Sequence, residues 1–141
     1  LREDQSPLKN VQRIPKNNIV PFEKMKLIRF SSENRANDRL AKYALDGKPS
    51  TVWHSQFSPE KKKHPHELVI DLGQTRMING FYYLARQDKG WNGAFEETEF
   101  YVSDNADHFP EEPYVRCLCK KGKQVQRVSL LSLLLSDQNA V

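Results

Sequence analysis

The sequence predicts an all-β domain, an antiparallel sandwich or barrel. Three observations carry that expectation. About seven short segments alternate apolar and polar residues or are rich in β-branched and aromatic side chains. Turn-forming residues separate them at regular spacing, and no stretch carries the apolar period of a long helix. The 141 residues suit one domain with a remnant of a second. Residues 1–17 read as a linker or the end of a preceding domain, and 18–141 as the folded module.

Taken in order, Leu1–Asn18 is polar and broken by Pro7 and Pro15. Within it Asn10–Ile14 has the makings of a short strand, which Asn17-Asn18 ends. Lys26–Ser32 is the first strand of the main domain, and Ser31–Asn37 a polar loop. Leu40, Tyr43 and Ala44 stand at helical offsets, so Asp38–Leu45 is expected to form one helical turn. Asp46-Gly47 with Pro49 then makes a tight turn. Val52–Ser55 is a short extended piece, and Gln56–Pro65 a charged loop. Glu67–Leu72 places Leu68, Ile70 and Leu72 on one face and Val69 on the other, as in a central strand. Met77–Ala85 is the second strong strand, rich in aromatics. Thr98–Ser103 alternates cleanly, with Glu97 and Glu99 toward solvent. Tyr114–Cys119 and Gln124–Leu131 are two further strands. Leu130–Leu135 breaks the alternation and reads either as a buried strand or as an apolar edge.

Composition narrows the function classes. Charged residues make up 28% and apolar ones 38%, so the core is expected in the middle of the chain. The net charge of +4 comes with basic runs at Lys61-Lys62-Lys63 and Lys120-Lys121, which read as solvated loops. No helix-turn-helix, RNP or zinc-finger pattern accompanies them, so nucleic acid is not an expected partner. No run of 18 apolar residues occurs, so no membrane span is expected. Cys117 and Cys119 read as two small residues on one face of a strand, too few for a metal site.

The chemistry-bearing residues point away from catalysis. No G-x-S-x-G, H-E-x-x-H or P-loop occurs. His64-Pro65-His66 sets two rings on one side of an extended segment, with no further ligand at metal spacing. Stiff planar donors and acceptors at strand ends suit sugar recognition instead, since each can bridge neighbouring hydroxyls. His54, Arg86 and Asn92 supply an imidazole, a guanidinium and a carboxamide. Phe57 and Trp91 lie beside them and offer an apolar platform for a sugar ring, while Trp53 reads as core. Arg86 taken alone would pair with an acid such as Asp88. A second site is expected at the Asp46–Thr51 turn. There Asp46, Thr51 and the backbone of Lys48 offer oxygens to a hard cation such as Ca²⁺, although Asp46 also serves simply as a turn former before Gly47.

The motifs ALDGKPSTVWHS, PHELVIDLG, GFYYLARQD, NG and FYVSD stand in this order between Ala44 and Asp104. In order and spacing they resemble the coagulation factor 5/8 type C (discoidin) domain, and within it the bacterial family 32 carbohydrate-binding modules of glycoside hydrolases. The resemblance runs from about Lys16 to Asp104. It implies an eight-stranded, galactose-binding-domain-like jelly roll with its ligand in loops at one end. It also implies a galactose-type sugar held by His54, Arg86 and Asn92 over Phe57. The family draws a second aromatic from a loop near the C-terminus, where Ser136–Asn139 looks like its start. The resemblance gives no counterpart before Val141 to the family's last strand, whose Glu helps to bind structural calcium, so a jelly roll lacking that strand is the expectation. Leu1–Pro15 resembles the strand that precedes such modules in bacterial fucosidases.

The expected function is therefore non-catalytic binding of galactose or N-acetylgalactosamine glycans, targeting an attached glycoside hydrolase such as a fucosidase. The expected partners are a glycan and that catalytic domain. A monomer is expected, with no membrane binding, in a secreted, periplasmic or cell-surface setting. The alternative is adhesion to protein or anionic phospholipid. His54→Ala and Arg86→Ala are each expected to abolish galactoside binding while sparing stability.

Overall fold

The computed structural model describes residues 8–129. Its strands are β1 (Lys26–Phe30), β2 (Leu68–Asp71), β3 (Gly80–Tyr83), β4 (Glu97–Phe100), β5 (Val115–Leu118) and β6 (Gln126–Ser129). They pair antiparallel as β1–β2, β3–β6 and β4–β5. Each expected strand from Lys26 onward is found within the described residues, mostly shorter than expected; β4 begins one residue early, at Glu97. Asn10–Ile14 forms no strand, and Val52–Ser55 is extended without joining a ladder. The helical turn expected at Asp38–Leu45 is a 3-10 turn over Ala41–Leu45. Leu130–Leu135 and Ser136–Asn139 lie outside the described residues, as does Leu1–Pro7.

Local chemistry explains the pairing. On β4, Thr98 and Phe100 turn inward while Glu97 and Glu99 face solvent, as alternation demands. Val69 of β2 is buried between half-buried Leu68 and Ile70, so this strand packs on both faces. Gly80 pairs with Ser129, and a Cβ there would stand 2.3 Å from the Val128 carbonyl oxygen. Only glycine lets β6 approach that closely.

Among the described residues the core is small and rich in aromatics. Tyr83, Ala85 and Cys119 are its buried cluster, with Phe81 and Cys117 packed on it. Phe81 stacks on Phe100 at 4.8 Å, and Tyr83 on Phe95 at 4.6 Å. The Phe95 N–H donates to the Tyr83 hydroxyl at 2.8 Å, satisfying the polar end of a buried ring. Burial, with Cys119 alongside, pushes the Cys117 thiol up to about 11, which fits a packing residue and not a reactive one.

Candidate functional site

The loop after β3 and the segment before β2 meet at one rim. The segment Trp53–Ser58 has no ladder of its own, so loop side chains hold it. Asn34 is fully buried and is the hub. Its Oδ1 accepts from the Phe57 and Ser58 N–H groups at 3.0 and 2.9 Å. Its backbone N–H donates to the His54 carbonyl at 2.9 Å, and the His54 N–H donates to Arg39 at 3.2 Å. Ser32 adds two anchors: its carbonyl accepts the Trp53 indole N–H at 2.9 Å and its hydroxyl the Gln56 N–H at 3.1 Å. Trp53, half-buried and edge-on to Phe95, is the packing residue expected.

His54 is thereby fixed in pose and in tautomer. Its Nδ1 lies 2.7 Å from the Ser55 carbonyl oxygen, an acceptor, so in the neutral ring Nδ1 carries the proton. Nε2 is then the acceptor. Phe57, 43% exposed, meets the imidazole edge-on at 4.8 Å.

Arg86 sits at the end of β3 with only 7% of its side chain exposed. Its Nε and Nη2 donate to the two oxygens of Asp88 at 2.5 and 2.6 Å, a bidentate clamp. Its Nη1 donates to the Asn92 carbonyl at 3.0 Å. Asp88 also accepts the Gly90 N–H at 3.2 Å and lies 4.0 Å from Arg39. Burial alone would raise its pKa, but the bonds and charge of Arg86, the Gly90 N–H and Arg39 together hold the carboxyl below the usual range. The pairing that Arg86 alone suggested is thus present, and it builds the loop that carries Asn92.

Asn92 is exposed, and Gly93 beside it closes the rim. Gly93 has φ +86°, and a Cβ there would stand 2.8 Å from His54 Cδ2 and 3.1 Å from Nε2. The structure therefore brings His54, Phe57, Arg86 and Asn92 into one cluster. Trp91 is arranged differently from the open platform expected. It is half-buried, with the Lys123 and Lys121 ammoniums 3.8 and 5.0 Å from its ring centroid.

Sequence reasoning missed Asn34, Gln87 and Gly93. Asn34 sat in a polar loop with nothing to mark it as buried. Gln87 is 3% exposed, and its amide accepts the Gln12 N–H at 2.8 Å and donates to the Ala85 and Lys123 carbonyls. The one available signal was a Gln between Arg86 and Asp88 at a strand end, where backbone groups need partners.

At the second site, Asp46 accepts from the Lys48 N–H at 2.8 Å and the Thr51 hydroxyl at 2.7 Å. The hydroxyl also lies 3.0 Å from the Lys48 carbonyl. Four oxygens converge here: both of Asp46, Thr51 Oγ1 and the Lys48 carbonyl. That is part of the shell of about six to eight that Ca²⁺ takes. Among the described residues no group of three or more His, Cys, Asp or Glu side chains could hold a metal.

Known structures share this fold. A Clostridium perfringens module, CpGH89CBM32-5 in complex with GalNAc-beta-1,3-galactose, superposes with a TM-score of 0.69 at 29% identity, covering 78% of this chain and 77% of that one. The family 32 module of C. perfringens NanJ in complex with galactose gives 0.66 at 23%, covering 78% and 74%. The C-terminal domain of a Bacteroides fragilis chitobiase gives 0.68 at 21%, covering 77% and 74%. The fold is that of a galactose-binding-like jelly-roll β-sandwich. Among curated proteins, a Micromonospora viridifaciens sialidase is 37% identical over 76 residues, 53% of this chain. An A type blood N-acetyl-alpha-D-galactosamine deacetylase from Flavonifractor plautii is 29% identical over 84 residues, 60% of this chain. The matches span only 12% and 11% of those two proteins. The F5/8 type C domain model matches residues 28–128, most of the chain, and the chain belongs to that family.

Proposed function

We propose that this chain is a non-catalytic carbohydrate-binding module that holds a terminal galactose-type sugar and brings an attached glycoside hydrolase to its substrate. One observation carries the reading: His54, Phe57 and the Arg86–Asn92 loop converge at one rim, with His54 Nδ1 held by the Ser55 carbonyl and the Asn92 carbonyl held by Arg86. Phe57 offers an exposed ring to the apolar face of a sugar. His54 Nε2, with Nδ1 already committed, accepts from a hydroxyl. The Asn92 carboxamide both donates and accepts. Arg86 fixes the Asn92 turn through its clamp on Asp88 and its bond to the Asn92 carbonyl.

The similar C. perfringens module bound to a galactose disaccharide, and the sialidase and deacetylase relatives, support a glycan partner and a catalytic neighbour. A secreted or cell-surface setting follows from such a partner, and residues 1–17 would serve as the join to it. A fucosidase is one parent enzyme that fits.

A rim this shallow implies weak single-site binding. Millimolar affinity is about −4 kcal/mol, within reach of two hydrogen-bonding side chains and one stacked ring. Useful attachment then comes from linkage and multivalency. The test is retention on immobilised galactose or N-acetylgalactosamine, with glucose and phosphatidylserine vesicles alongside. His54→Ala is expected to abolish retention. Retention that survives both His54→Ala and Arg86→Ala would overturn the site, and sedimentation with the vesicles would favour adhesion instead.

A further inference from the structure

The lysines over Trp91 were unexpected, and they lie against the very loop that carries Asn92. Lys120–Lys123 forms a turn between β5 and β6, pinned at its base. Gln126 accepts the Lys120 N–H at 2.7 Å and donates back to the Lys120 carbonyl at 2.8 Å. The turn is also tied to the rim. Lys123 Nζ donates to the Gly90 carbonyl at 2.6 Å, and the Lys123 carbonyl accepts from the buried Gln87 amide at 2.9 Å. Trp91 lies between, with both ammoniums near its ring.

These contacts place positive charge at a fixed position beside the sugar rim. Asp88 is already shared by two cations, clamped by Arg86 and 4.0 Å from Arg39. Lys121 is exposed, and the turn that carries it is held by Gln126. Preorganised ammoniums at a partly covered surface favour an anion through charge-assisted hydrogen bonds and through the local field.

We propose that the Lys121–Lys123 turn, with Trp91, is an anion subsite that selects glycans carrying a sulfate or carboxylate next to the galactose-type sugar. The proposal rests on the reading of the His54–Asn92 rim as the sugar site. The subsite adds a charged contact at the Gly90–Trp91 end of the loop that carries Asn92, so a neutral glycan gains nothing from it.

The experiment titrates the chain with lactose, a sulfated lactose and a galactosyl-glucuronic acid disaccharide, at low and high ionic strength. At low salt the charged disaccharides are expected to bind about three- to fivefold more tightly than lactose, an advantage that shrinks as salt rises. Lys121→Ala lowers the advantage and Lys121→Glu abolishes it, both with lactose binding unchanged. Tightening by the sulfated sugar alone assigns the subsite to sulfate, and tightening by both assigns it to either anion. Absence of lactose binding in the wild type overturns the reading of the rim. Lactose binding with no preference for charge, or a preference that Lys121→Glu leaves intact, overturns the subsite alone.

Discussion

Gly93→Ala tests the site where it is most tightly built. The residue has φ +86°, a backbone region that costs a residue bearing a Cβ about 1 kcal/mol or more. The added methyl would begin 2.8 Å from His54 Cδ2 and 3.1 Å from Nε2. Ordinary contact is about 3.5 Å or more, so the imidazole must retreat by roughly half an ångström or more. It has little room to do so. Its Nδ1 is bonded to Ser55, its ring meets Phe57 in a T-shaped contact, and its backbone is tied to Asn34 and Arg39. Strain and displacement together should cost about 2 kcal/mol of stability, or about 5 °C in Tm for a domain near this size. A displaced Nε2 loses its hydrogen bond to the sugar, about 1 kcal/mol, and weakens binding about fivefold. Thermal melts and an NMR titration with galactose measure the two effects. Gly122→Ala is the control, since a Cβ there meets nothing within 4 Å. Wild-type galactose binding by Gly93→Ala, with unmoved His54 ring signals, would refute the claim that this contact sets the site.

Other outcomes follow from the same contacts. Arg86→Ala should lower stability by about 3 kcal/mol in urea unfolding, because it strands the nearly buried Asp88 carboxylate; His54→Ala should cost far less. This replaces the expectation from sequence that both changes spare the fold. His66 has its pKa lowered by burial, with His64, His54 and Lys61 adding repulsion, and its Nδ1 is buried with no protein partner among the described residues. The unfolded chain therefore takes up this proton first. Its contribution is complete above the ordinary value of 6.5 and is lost as pH falls from there through the lower folded value; His66→Gln should flatten that slope in pH-dependent unfolding. If the Asp46 turn holds calcium, saturating calcium raises Tm by mass action, and Asp46→Ala removes the rise. Equal melts with calcium and with chelator would dismiss that site.

The strands were legible because their signal is local. Alternation on Glu97–Phe100 and the doubly apolar Leu68–Ile70 declare which faces are buried without reference to any partner. Val52–Ser55 shows where that logic fails. The segment is extended, as its residues prefer, but its backbone bonds go to Asn34 and Arg39, loop positions that no periodicity identifies. The same division runs through the site. Planar side chains at strand ends pointed to His54, Arg86 and Asn92, since their chemistry is visible residue by residue. What makes them a site is contributed by groups chosen for fit: Gly93 for the space it leaves, Asn34 for two N–H groups it can accept, and Gln87 for the carbonyls it bridges. Trp91 is the instructive exception. Its position beside Asn92 suggested an open platform, yet a turn some thirty residues away lays lysines near the ring. An aromatic surface and a charged one look alike in a list of nearby residues, and only long-range contact decides which of them a ligand meets.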